Sequence, residues 1–103
     1  MKIVSPRTSR DLRTLGRHIT AARKIHGLTA ELLAERAGIT RPTLHRIEHG
    51  EGGVHVDAVL SVLRVLGAAD AVVSAADPLN TDFGRLNADR AVRARVRNPG
   101  EPQ

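Results

Sequence analysis

Residues 27–50 read GLTAELLAERAGITRPTLHRIEHG, two short helical patterns hinged at a single glycine. Apolar residues keep a fixed spacing on both sides of that hinge, and the spacing decides the fold. Thr29 can cap the first helix, with Glu31 near its positive N-terminal end, and Leu33, Ala34 and Ala37 share one face. Gly38 breaks the pattern. Ile39 plugs the turn, Thr40 can cap a second helix that tolerates Pro42 in its first turn, and Leu44 and Ile47 continue the buried stripe. Helices meeting steeply through so short a turn leave room only for a small side chain near the middle of the first, and Ala34 is that residue. Gly38 can take positive φ without a Cβ clash, so Ala34 and Gly38 together predict a helix-turn-helix. Its second helix, over 41–49, would then stand clear of the body and be free to enter a DNA major groove.

The flanks extend this pattern. LGRHITAARKIHGLT leads into the motif and IEHGEGGVHVDAVLSVLRVLGA follows it, and with them the chain resembles the phage-repressor-like, or Xre, family of DNA-binding regulators. The resemblance covers about two-thirds of the sequence. It implies an all-α, four- to five-helix repressor-like DNA-binding domain, with a flexible C-terminal tail added here. The outward residues at the start of the second motif helix, Arg41, Pro42, His45 and Arg46, match the family's base-reading positions. Arg41 and Arg46 carry the guanidinium fork that pairs with guanine O6 and N7, Pro42 offers only apolar contact, and Thr40 and Thr43 are placed to hold phosphates. By the same resemblance Arg23 and Glu48 match a partly buried ion pair that ties this helix to the scaffold. Two positions depart from the family. Ala30 stands where a phosphate-binding glutamine is common, and Leu32 where a polar residue is usual.

Composition excludes several other functions. The 103 residues suit one small domain, and with 41% apolar residues they can bury a core of Leu, Val, Ile and Ala. Phe83 is the sole aromatic residue, which removes base-stacking platforms for single-stranded nucleic acid. The absence of cysteine removes disulfides and zinc fingers and fits a reducing cytoplasm. No apolar run reaches membrane-spanning length and no secretory signal is visible in MKIVSPRTSRDLR, so a cytoplasmic protein without membrane contact is expected. His45, His49 and His55 lack companions for a metal site, no nucleophile, base and acid framework exists, and no phosphate loop is present. No enzyme, metal or cofactor is therefore expected.

Charge is distributed unevenly. The local balance is +7 over residues 1–46, −5 over 47–83 and +3 over 84–103. A basic first half containing the recognition helix fits a partner made of phosphates, namely double-stranded DNA. The sequence predicts a basic arm over 1–9 and a helix-turn-helix domain over 10–77, whose first helix runs from about Arg10 to His26. Val56, Val59, Leu60 and Leu63 mark a fourth helix, and residues 68–76 a fifth, although Val72 and Val73 leave a short strand open. Residues 78–103 form an extension, partly disordered, with only a weak amphipathic pattern over 86–96.

So small a domain makes few base contacts, and the usual solution is a two-fold dimer on a palindrome. Val62, Val65, Val72 and Val73 are the candidates for that dimer interface. The expectation is a dimeric repressor. Two alternatives stay open: an antitoxin that represses its own operon and neutralises a HipA-like toxin, and a helical protein-interaction module without DNA binding.

Overall fold

The computed structural model describes the backbone of residues 4–97 and the side chains of residues 4–93. Its first helix, α1 (Pro6–Ile25), begins before the expected Arg10. The cause is local: the Ser5 hydroxyl accepts from the Thr8 amide at 3.1 Å, and Pro6 sits at the helix start, where its missing N–H breaks no bond. Residues 6–9 of the expected arm are thus helical. Residues 1–3 of that arm and 98–103 of the expected tail lie outside the described residues.

Helices α2 (Ala30–Ala37), α3 (Arg41–Glu48) and α4 (Val56–Val65) follow, then α5 (Ala69–Ala75). Residues 69–75 are helix, so Val72 and Val73 do not form a strand. No strand exists among the described residues for them to pair with, and a helix satisfies its backbone groups internally. A 3-10 turn (Pro78–Asn80), α6 (Asp82–Asn87) and α7 (Asp89–Arg97) complete the order. The molecule is all-α. No helix among the described residues is long and apolar enough to cross a membrane.

The chain divides into two units, Met1–Asp70 and Ala71–Gln103. In the first, Ile19 of α1, Leu33 and Ala34 of α2, Leu44 and Ile47 of α3, and Val62 and Leu63 of α4 form one core with Leu66 and Ala69. Each fully buried aliphatic side chain contributes about 1.5–3 kcal/mol, so this cluster is what holds the helices together. Val62 corrects an expectation. It is wholly buried in this core and has no surface to offer a second copy, whereas Val72 and Val73 remain 44% and 55% exposed. Val65 is half-buried and packs against the core.

One contact in the first unit needs a residue that the hydrophobic pattern does not mark. Gly16 of α1 lies under the end of α3 so closely that an added Cβ would strike the Glu48 carbonyl oxygen and come within 2.7 Å of that of Ile47. Only glycine fits there. Mid-helix glycine costs about 1 kcal/mol relative to alanine, and the close approach of two helix backbones is what it makes possible.

The second unit is built on caps. Asp77 accepts from the Leu79 amide at 2.9 Å, and Thr81 accepts from the Gly84 amide at 2.9 Å while its hydroxyl donates to the Pro78 carbonyl at 2.9 Å. Arg85 pairs with Asp82 and Arg93 with Asp89 across single turns. Residues 82–87 and 89–97 are therefore helical where the sequence offers only a weak amphipathic pattern over 86–96. Capping and short-range charge pairs supply what apolar spacing lacks.

Candidate nucleic-acid interface

Two caps and one left-handed glycine place α3. The Thr29 hydroxyl accepts from the Leu32 amide at 3.0 Å and starts α2. Gly38, at φ +71°, ends it; the Gly38 amide bonds to the Glu35 carbonyl at 3.1 Å and the Ile39 amide to the Ala34 carbonyl at 3.0 Å. Thr40 then starts α3 by accepting from the Thr43 amide at 3.3 Å. Ala34 is buried at the crossing, as a close helix pair requires. The turn is thus Ala34, Gly38 and two threonine caps.

With Leu44 and Ile47 held in the core, helical geometry turns Arg41, Pro42, His45 and Arg46 outward, and all four are exposed. They differ in how free they are. Arg41 makes no ion pair among the described residues, and it sits at the first position of α3. Arg46 is held instead: its Nη2 donates to the Gly52 carbonyl at 3.3 Å, and its Nε lies 3.8 Å from Glu51 Oε1. An exposed pair of this kind contributes about 0–1 kcal/mol, so a phosphate or a guanine can displace it. Glu51 is a neighbour of Arg46 that the motif does not point to, because its position depends on how the loop after α3 folds back.

The remaining candidates also have partners. Thr40 donates its hydroxyl hydrogen to Thr43 Oγ1 at 2.9 Å. The His45 and His49 rings stack with centroids 3.9 Å apart and planes at 28°. His49 Nδ1 donates to the His45 carbonyl at 2.8 Å, fixing the lower ring of the stack. No group of three or more His, Cys, Asp or Glu suited to a metal occurs among the described residues.

Behind this face, Arg23 and Glu48 make a two-pronged ion pair. Arg23 Nε donates to Glu48 Oε2 at 2.8 Å, Nη2 to Oε1 at 3.3 Å, and Nη1 to the Leu28 carbonyl at 3.2 Å. The side chains are only 15% and 9% exposed, so each charge depends on the other for solvation. One guanidinium thereby joins the ends of α1 and α3 to the loop before α2. Beside it, His26 Nε2 lies 3.2 Å from the Leu66 carbonyl, linking α1 to the end of α4.

Ala30 is half-buried and packs against the core, so the first position of α2 is used for packing and carries no polar side chain toward a phosphate. The candidate interface is consequently α3, its caps and the loop holding Arg46. No match was found among curated proteins. The family model described as a helix-turn-helix domain matches residues 14–76, more than half of the sequence, from the middle of α1 to just past α5. Fold, turn geometry and this match agree, and they support DNA binding as the activity of the domain. The chain belongs to the helix-turn-helix domain family.

Proposed function

We propose that the protein is a sequence-specific transcriptional regulator, a homodimeric repressor that occupies a palindromic operator. The observation that carries this reading is Arg41: exposed, without an ionic partner among the described residues, and at the leading end of a helix whose opposite face is fixed in the core. A guanidinium so placed can make the forked contact to guanine O6 and N7, with Pro42 and His45 beside it for neighbouring bases. Thr43 and the start of α3 supply phosphate contacts. Exposed Val72 and Val73 on α5 are the surface through which two copies would meet. Val65 is their half-buried neighbour in sequence. Two recognition helices would then address half-sites about 34 Å apart.

The test is selection of bound duplexes from a random DNA library by the purified protein. An inverted repeat with half-sites one turn apart is the expected product. Arg41→Ala should weaken binding to it by about 1–3 kcal/mol and relax the choice at one base in each half-site. Failure to enrich any duplex, even at low salt, would leave a protein-interaction module as the function. A second reading has its own support: the uncovered Leu79, Phe83 and Leu86 of the second unit suit a regulator that also binds a protein, as an antitoxin binds its toxin. Both readings keep α3 on DNA.

A further inference from the structure

One face of α1 is basic, and nothing in the chain neutralises it. Arg7, Arg10, Arg13, Arg17 and Lys24 are exposed, and none has an ionic partner among the described residues. Arg17 donates to Thr14 Oγ1 at 3.0 Å, a neutral acceptor that leaves its charge uncompensated. Seven residues make close to two helical turns, so Arg10, Arg17 and Lys24 lie along one line, with Arg13 a turn from both Arg10 and Arg17. The opposite side of the helix carries Ile19 into the core. Asp11 is the one carboxylate of α1, and helical geometry turns it about 100° away from Arg10. Like charges at i,i+3 and i,i+4 destabilise a helix, and an anionic partner would remove that cost.

Position and charge both select duplex DNA as that partner. The chain leaves α3 through Gly50, which rests on Arg13 so closely that an added Cβ would lie 2.5 Å from the Arg13 Cα. The basic face therefore adjoins the end of the recognition helix. A bilayer would need an apolar face beside the basic one, and that of α1 is buried in the core. A second copy has few acids to offer. Glu48, Glu51, Asp70 and Asp82 pair with arginines of their own chain, and Asp57 and Asp77 accept from backbone amides. A nucleic-acid strand has charge at every step. Arg10 and Lys24 stand about 21 Å apart along the helix, a length over which one strand of a duplex presents about six phosphates.

We propose that this face of α1 is a second DNA-contacting surface, on which Arg10, Arg13, Arg17 and Lys24 hold phosphates beside the groove that α3 enters. Bases are left to α3. The inference rests on the DNA-binding reading above and adds to it a sequence-independent share of the affinity, carried by charges outside the helix-turn-helix motif.

The full-length chain and its double variant Arg10→Gln/Arg17→Gln should be titrated at several salt concentrations with the selected duplex and with a scrambled duplex of equal length. Both positions are exposed, so the melting temperature should be unchanged or higher once the like charges are removed. The double variant should bind both duplexes about tenfold more weakly and lower the slope of log affinity against log salt by about two, with the preferred bases unaltered. Lys24→Gln alone should lower the slope by about one. An unchanged slope in these variants, with Arg41→Ala still relaxing base choice, would overturn the second surface and leave the regulator reading standing. So would a loss of self-association at unchanged slope, which would assign the face to a second copy. Salt-sensitive binding to every duplex alike, weakened in the double variant, would uphold the surface and sink the sequence-specific reading. No binding to any duplex would overturn both.

Discussion

Leu33 and Leu86 are the same residue on two short helices, yet one is wholly buried and the other 81% exposed. The difference lies in what surrounds them. Around Leu33 of α2, side chains from α1, α3 and α4 converge on one core, whereas α6 and its neighbours hold their shape with Asp77, Thr81 and two Arg–Asp pairs at the surface. Local bonds can set a helix without giving its apolar residues anywhere to go. An element assembled in that manner keeps its hydrophobic surface available, and one assembled around a core does not.

The largest effect expected from this contrast is at position 33. Leu33→Ala should cost about 3–4 kcal/mol, measured by chemical denaturation, because it empties space that α1, α3 and α4 cannot fill without separating. Next comes Gly16→Ala, expected to cost about 2–3 kcal/mol, since the new methyl group meets main-chain carbonyls of Glu48 and Ile47 and no side chain can swing aside. A loss below about 0.5 kcal/mol there would mean that α1 and α3 are not in such close contact. Leu86→Ala should change stability by less than about 0.5 kcal/mol, as for a surface substitution. Equal losses at 33 and 86 would erase the contrast and place Leu86 in a core.

The hinge was the most legible part of the sequence. Ala34, Gly38 and the apolar residues at 33, 44 and 47 are each tied to one structural demand, and such demands can be read at fixed spacing. The outward direction of Arg41 and His45 followed from the inward direction of Leu44 and Ile47. Gly16 was harder, for it looks like any weak helix former until α3 is seen lying across it, although an unforced glycine in the middle of a helix is itself a signal of close packing. The hold of Glu51 on Arg46 and the burial of Val62 were also hidden. Both depend on which way α4 and its preceding loop turn, and spacing that marks Val56, Val59, Leu60 and Leu63 as helical does not show that Val62 faces inward while Val56 is exposed. The helices at 82–97 were underestimated because hydrophobic periodicity is a poor guide where burial is not what stabilises the element.

Gly16 has one more implication. Since α1 supports the end of α3 through main-chain atoms there, and Arg23 clasps Glu48 on the inner side, the mounting makes no use of Arg41, Pro42 or His45. On the proposed reading, those three positions can be rewritten as an alphabet on a fixed stylus: a designer seeking a different recognition sequence would randomise them together and leave the handle untouched.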